Sequence, residues 1–186
     1  MTVSFRPESA DQVAEVIRTA IIEGRHLEVV AGGSKRAWGR PAAAADTLDV
    51  QELTGIVAYE PEELILTARP ATPLAEIEAV LAERHQHLAF EPPDFGPLLG
   101  GDGEVFSSSS HGTLGGAVLC NLGGPRRVKV GAARDHVLGF HGVSGRGEHG
   151  GQLGDPTAVG VAEVQVVGRD EAGEEPRDVA DEAGVA

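Results

Sequence analysis

Apolar positions recur at helical spacing in two stretches of the chain. Between Ser9 and Gly24 they follow an i, i+3, i+4 pattern, with Ser9 placed to cap a helix and Gly24 placed to end it. The same spacing occurs in "TPLAEIEAVLAERHQ", residues 72–86, where Thr72 is the predicted N-cap and Pro73 the predicted first helical residue. The pattern therefore predicts two amphipathic helices in these segments.

Shorter apolar runs, bounded by glycine, proline or acidic residues, are typical of strands. They are "HLEVVAGG", "TLDV", "GIVAYEP", "ELILTARP" and "VGVAEVQVV". Several of them follow one another directly, without the regular helix–strand alternation of a doubly wound sheet, so we predict an α+β fold with two lobes. The lobes are expected at about residues 1–58 and 59–167, and the acidic residues 168–186 are expected to form a disordered tail.

Charge and composition narrow the classes of partner. Fifteen basic against twenty-nine acidic residues give a formal net charge of -14, which disfavours nucleic acid and anionic membrane surfaces. No apolar stretch approaches the roughly 18 residues of a membrane span, and the N-terminus lacks a signal-peptide pattern, so we expect a cytoplasmic protein without a transmembrane segment. The single cysteine, Cys120, lies in an apolar stretch and is predicted to be a small buried side chain.

The stretch "EVVAGGSKRAWGRP", residues 28–41, carries the first candidate chemistry. A Gly-Gly pair after a strand lets backbone N–H groups face an anion, and Ser34 and Lys35 add a hydroxyl donor and a charge. The spacing matches neither the Walker A loop nor the Rossmann fingerprint. We call residues 31–35 the first glycine loop, and its residue types suit a pyrophosphate.

A second glycine-rich stretch is "TLGGAVLCNLGG", residues 113–124. It predicts a short helix capped by Thr113, at whose N-terminus unpaired N–H groups and the helix dipole would favour a negative group. We call residues 113–116 the second glycine segment. Either Gly-Gly pair alone could be an ordinary turn, but together they predict a bulky phosphorylated ligand held between the lobes.

Other candidate residues point to no site. His136, His141 and His149 are spaced too loosely for a metal pair and are predicted to be loop or solvent histidines, so no metal site is expected. The run "SSSSHG", residues 107–112, lacks an elbow motif and is predicted to be a flexible loop. Trp38 could stack on a ligand ring or cover the lobe interface, and the sequence does not decide between these roles.

From about residue 3 to residue 147 the chain resembles FAD-binding domains of the PCMH type, also called the vanillyl-alcohol oxidase type. The segments that carry the resemblance are "EVVAGGSKRAWGRP", "TPLAEIEAVLAE" and "TLGGAVLCNLGGPRRVKVGAARDHVLG". Within the family the chain is similar to the FAD-binding glycolate oxidase component that accompanies the catalytic FAD subunit. The resemblance implies a set of cofactor-binding residues: Ala31, Gly32, Gly33, Ser34, Lys35, Thr113, Leu114, Gly115, Gly116, Gly123, Arg134 and Asp135.

The resemblance also implies a function. It predicts an FAD-dependent subunit of a glycolate-oxidase-like complex, which oxidises a 2-hydroxy acid such as glycolate or D-lactate and passes electrons through the flavin. Because Ser34 stands where some members attach flavin through a histidine, noncovalent FAD is expected. The implied partners are a larger FAD subunit and an iron–sulfur subunit, through which the protein would be peripheral to the inner membrane.

The resemblance weakens beyond residue 147. The stretch "HGGQLGDPTAVGVAEVQVVGRD" replaces the family's usual continuation, so the second lobe is expected to be truncated or diverged, and no catalytic base is assigned. Two alternatives stay open. The chain could be a non-catalytic structural or interaction subunit, or a truncated product that no longer retains FAD.

Overall fold

The computed structural model describes residues 2–36, 38, 46–93, 112–121, 123–150 and 158–170. Four α-helices lie in these ranges: α1 (Ala10–Ile22), α2 (Leu74–Ala82), α3 (Leu114–Leu119) and α4 (Arg127–Val130). The strands there are β1 (Ser4–Phe5), β2 (Leu27–Val30), β3 (Asp46–Asp49), β4 (Ile56–Glu60), β5 (Ile65–Ala68), β6 (Gln86–Leu88), β7 (Val137–Ser144), β8 (His149–Gly150) and β9 (Ala158–Asp170). Two 3-10 turns occupy Pro61–Glu63 and Ala133–His136.

The first sheet is parallel and has the strand order β1-β3-β2. Helix α1 packs its apolar face on this sheet, with Val13 and Ile17 buried beside Leu48 of β3. The Ser9 hydroxyl accepts a hydrogen bond from the Gln12 backbone N–H at 3.3 Å, which confirms the predicted N-cap. Gly24, with φ +65°, follows the last turn as predicted.

The second sheet is antiparallel and has the order β4-β5-β9-β7-β8, with β6 paired to the far end of β9. Its buried face includes Leu66 of β5 and Val164 and Val166 of β9. Helices α2 and α3 cover that face, each through a fully buried side chain, Ile77 and Leu114. The mixture of helices with a parallel and an antiparallel sheet confirms the α+β prediction.

The hairpin of β7 and β8, which belongs to the second sheet, packs against helix α1 of the first sheet. Val143 of β7 is buried in the same apolar cluster as α1 and β3. The turn residue Gly147 accepts a hydrogen bond from Arg18 Nε at 3.1 Å, and a Cβ on Gly147 would lie only 2.8 Å from the carbonyl oxygen of Ala14. Glycine at this position therefore lets the hairpin approach the helix backbone.

The start of α2 differs from the prediction. The helix begins at Leu74 with Pro73 as its N-cap residue, and Thr72 is not the cap. Thr72 is fully buried, and its hydroxyl accepts from the Gly55 backbone N–H at 2.9 Å and donates to the Gly55 carbonyl at 3.1 Å. The side chain is therefore committed to a distant turn, which local sequence cannot reveal.

Two predicted boundaries fall inside strands. The lobe boundary at residues 58 and 59 lies within β4, and the division of the chain at that point stays a prediction. Strand β9 continues to Asp170, past the predicted start of the acidic tail at residue 168, because its last residues pair with β6. The rest of the predicted tail, residues 171–186, lies outside the described residues, and so do residues 107–111 of the serine-rich run.

Candidate functional site

A cavity of about 430 Å³ lies where the two sheets meet. Its walls come from the first glycine loop, the second glycine segment and α1, which contributes Ala10 and Val13. Val50, Leu53 and Val143, all buried, make one side of the cavity apolar. The volume lies within the range of small-molecule pockets, roughly 300–1,000 Å³.

The first glycine loop begins directly after β2 and turns at Gly33, which has φ +70°. The turn is closed by a hydrogen bond of 3.1 Å from the Arg36 N–H to the Gly33 carbonyl oxygen. Among the described residues, no hydrogen bond starts from the backbone N–H groups of residues 32–35. The loop therefore presents a row of unpaired donors at the cavity wall, an arrangement that suits an anion.

The second glycine segment forms the first turn of α3, and Thr113 caps it as predicted. Its backbone donors are already used: the Leu114 N–H donates to the Thr72 carbonyl at 3.0 Å, and the Gly115 N–H donates to the Pro70 carbonyl at 2.8 Å. The Gly116 N–H is satisfied by the Thr113 hydroxyl at 3.3 Å. The expectation that this helix start offers unpaired donors is therefore wrong, because the neighbouring chain and the cap already accept them.

The two segments touch across the cavity through small groups. A Cβ on Gly32 would lie 3.3 Å from Thr113 Cγ2, so the loop and the cap are in contact. Lys35 Nζ lies 3.6 Å from the Cβ position of Gly116 and 3.5 Å from that of Gly112. The absence of side chains at these glycines leaves the Lys35 ammonium group at the junction of the two segments.

The described side chains that line the cavity include two positive groups, Lys35 and Arg36, and one negative group, Glu28. Arg36 and Glu28 form a bidentate pair, in which Nε donates at 3.0 Å and a terminal nitrogen at 2.7 Å to the two carboxylate oxygens. The hydrogen bond and the charge of Glu28 raise the pKa of Arg36 above its ordinary value. Within the described part of the chain, Lys35 is the cavity-lining cation that forms no ion pair. The lining thus carries one uncompensated positive charge.

Eight of the twelve predicted site residues line the cavity: Ala31, Gly32, Gly33, Ser34, Lys35, Thr113, Gly115 and Gly116. The other four lie outside the lining, and their cofactor-binding role stays a prediction. Leu114 is fully buried in the core of the second sheet, and a Cβ on Gly123 would lie 2.8 Å from Cδ of a neighbouring arginine. The Arg134 N–H donates to Asn121 Oδ1 at 3.2 Å, and Asp135 accepts from the Ala132 N–H at 2.8 Å.

Two further lining residues are Cys120 and Trp38. The prediction that Cys120 is buried is wrong: it is exposed, because it follows the last turn of α3 on the side that faces the cavity. The Cys120 N–H donates to the Gly116 carbonyl at 3.3 Å. Residues four apart lie on the same face of a helix, so the spacing from Gly116 is the sequence signal that Cys120 lies beside the cavity. Trp38 lies at the cavity wall with 54% of its surface exposed.

The three histidines considered in the sequence, His136, His141 and His149, contact residues near them in the structure. His136 Nε2 lies 2.6 Å from the Val130 carbonyl oxygen, and its ring stacks against a phenylalanine. The rings of His141 and His149 stack with centroids 5.6 Å apart, and His149 Nε2 lies 3.1 Å from the Asp11 carboxylate. Across the ranges that the structure describes, no group of three or more His, Cys, Asp or Glu residues is arranged to hold a metal ion. No described helix is long and apolar enough to cross a membrane.

The fold of the chain is shared with solved structures of other proteins. The fold matches 6-hydroxy-D-nicotine oxidase from Arthrobacter nicotinovorans with a TM-score of 0.66 and 17% identity, covering 91% of this chain and 37% of that one. It also matches Phl p 4, described as a glucose dehydrogenase, with a TM-score of 0.68 and 10% identity, covering 90% and 34% of the two chains. These likenesses show the fold, a two-lobed α+β arrangement.

Sequence comparison identifies the family. Residues 2–102, more than half of the chain, match the FAD binding domain family, and the chain belongs to it. It is 41% identical over 135 residues to glycolate oxidase subunit GlcE of Escherichia coli, covering 73% of this chain and 35% of that protein. An uncharacterized FAD-linked oxidoreductase of Mycobacterium tuberculosis is 26% identical over 146 residues, covering 77% and 28%. The chain thus spans about a third of the length of these curated relatives, and the resemblance to PCMH-type FAD-binding domains is confirmed.

Proposed function

We propose that the cavity binds FAD noncovalently and that the chain serves as an FAD-binding subunit of a glycolate-oxidase-like complex. The complex would oxidise a small 2-hydroxy acid, glycolate or D-lactate. The family match supports FAD as the cofactor, and the 41% identity to a glycolate oxidase subunit supports the assignment to this kind of complex. A larger FAD subunit and an iron–sulfur subunit are the proposed partners, through which the protein would be peripheral to the inner membrane.

The observation that carries the proposal is the position of Lys35. Its ammonium group reaches the Cβ positions of Gly112 and Gly116, at 3.5 and 3.6 Å, from a loop whose backbone N–H groups at residues 32–35 are unpaired. One cation and several backbone donors at one place suit a group with multiple anionic oxygens, and the diphosphate of FAD is such a group. The residues present therefore fit the cofactor that the family binds.

The remaining walls fit the other parts of such a ligand. The apolar side formed by Val50, Leu53 and Val143 can cover ring atoms and exclude water from them, while Trp38 and Cys120 lie at the exposed side. When bound, FAD would supply the redox chemistry of its isoalloxazine ring. The role of this chain is then to bind and orient the cofactor.

The test replaces Gly33 with aspartate, which puts a negative charge where the phosphates are proposed to lie. Gly24→Asp is a matched control, because Gly24 also has a positive φ, +65° against +70°, and has no atom near its Cβ position. The Gly33 variant is expected to weaken FAD retention at least about tenfold through charge repulsion, whereas the Gly24 variant should retain flavin like the parent. Flavin absorbance of the purified proteins and titration of apoprotein with FAD measure the effect.

Two results contradict the proposal. Equal FAD content in the Gly33 and Gly24 variants shows that the loop does not hold the diphosphate. A colourless parent chain that unfolds cooperatively and does not take up added FAD instead supports a non-catalytic structural subunit.

A further inference from the structure

The charge of the cavity depends on a contact that the proposed function does not use. Glu28 is the one carboxylate among the described residues that line the cavity, and it lies on β2 just before the first glycine loop. A free carboxylate at the wall would repel any phosphorylated ligand. Arg36 follows the loop directly, and its guanidinium group donates a hydrogen bond to each carboxylate oxygen of Glu28.

We propose that Arg36 is a positioning residue that neutralises Glu28 and thereby sets the specificity of the cavity for ligands that carry phosphate. This inference rests on the proposed function, because the phosphorylated ligand is FAD. Arg36 acts through Glu28 and need not touch the cofactor itself. With the pair formed, Glu28 and Arg36 cancel and Lys35 determines the net charge of the lining; without Arg36, the freed Glu28 cancels Lys35 instead.

Because the Arg36–Glu28 ion pair is partly exposed, its effect on ligand binding can be tested without a large effect on folding. The side chains of Arg36 and Glu28 are 58% and 29% exposed, and ion pairs at such sites contribute little to stability. A direct hydrogen bond between Arg36 N–H and the Gly33 carbonyl closes the loop independently of the side chains. Side-chain variants are therefore expected to keep the loop conformation.

The experiment measures the Kd of the purified apoprotein for FAD and ADP, which carry a diphosphate, and for riboflavin and adenosine, which do not. Arg36→Gln is expected to raise the Kd for FAD and ADP about three- to tenfold at low salt and to leave the two uncharged ligands unchanged. The double variant Arg36→Gln with Glu28→Gln removes the freed carboxylate and should return the Kd close to that of the parent. Salt near 1 M should largely abolish the difference.

Two further variants guard against an effect on folding. Arg36→Lys keeps the charge without the fork and should bind FAD better than Arg36→Gln. Glu28→Gln leaves Arg36 in place and should bind ADP as tightly as the parent or more tightly. Thermal unfolding of each variant is measured in parallel.

The outcomes separate this inference from the proposed function. A parent chain that binds FAD, together with an Arg36→Gln variant that binds it equally well, overturns the neutralising role alone. A double variant as weak as Arg36→Gln also overturns it, because the pair would then act only as a structural tie. A parent chain that binds neither FAD nor ADP overturns the proposed function, and this inference falls with it.

Discussion

Gly115 is the position where the structure leaves least room for a side chain in the cavity wall. A Cβ there would lie 2.7 Å from Pro70 Cβ and 3.0 Å from the Pro70 carbonyl oxygen, which is also the acceptor of the Gly115 N–H bond at 2.8 Å. Pro70 belongs to the turn between β5 and α2, so relief requires α3 to move away from the second sheet. Gly115→Ala therefore tests whether this close approach stabilises the fold.

The magnitude follows from three contributions. Overpacking costs about 1–3 kcal/mol, and the weakened hydrogen bond costs about 1 kcal/mol. Alanine in place of glycine inside a helix returns about 1 kcal/mol. We expect a net loss of about 1–3 kcal/mol in the free energy of unfolding, which lowers the Tm by about 2–4 °C per kcal/mol in a chain of this size.

Gly116→Ala is the matched control, because Gly116 is the next residue in the same helix. Its Cβ would lie 3.2 Å from Thr113 Oγ1 and 3.6 Å from Lys35 Nζ, so the nearest atoms belong to side chains and not to a fixed backbone. Its stability should stay within about 1 kcal/mol of the parent, because the helical gain offsets the crowding. Thermal unfolding followed by circular dichroism compares the two variants. A Gly115 variant that melts at or above the parent, or a shift equal to that of Gly116→Ala, refutes the argument.

Two further predictions concern single hydrogen-bonded groups. The hydrogen bond from the Val3 N–H, assisted by Arg25, lowers the pKa of Asp46, so this carboxylate stabilises the fold above its unfolded pKa of about 3.9 and loses that effect as the pH falls through the lower folded value. The stability difference between the parent and Asp46→Asn should therefore shrink below about pH 4 in urea titrations, and a constant difference would contradict this. Thr72→Val should cost about 1–3 kcal/mol, because it leaves the Gly55 N–H without its acceptor, whereas Thr72→Ser should retain most of the stability. Equal unfolding midpoints for the two Thr72 variants would count against the hydrogen bond.

The features that the sequence predicted correctly are those that local chemistry decides. The Ser9 and Thr113 caps each accept a backbone N–H three residues later in the chain, so a short window of sequence suffices to find them. The first glycine loop follows a strand and borders the cavity, as its residue types indicated. The fold class followed from strands that succeed one another without intervening helices.

The features that the sequence missed depend on residues distant in the chain. The N–H groups of Leu114 and Gly115 donate to the carbonyl groups of Thr72 and Pro70, which precede α2 in the chain. The Thr113 cap accepts from the next N–H, so the first turn of the helix has no donor left for an anion. The exposure of Cys120 depends on which side of α3 faces the cavity, and the apolar character of its neighbours gives no information about that. Val143 belongs to the core around α1 because the β7–β8 hairpin folds back on that helix.

The place of β9 in the second sheet has a consequence for synthesis of the chain. Strands β5, β6 and β7 all pair with β9, and Ile65 is matched with Val167. The first sheet, by contrast, has all its strands once the ribosome has passed Asp49. A nascent chain can therefore assemble its first sheet early, while the hydrogen-bonding edges of three strands stay open until residues 158–170 emerge. Pairing over such sequence distances is slow, so we expect a chaperone to be most needed in that interval.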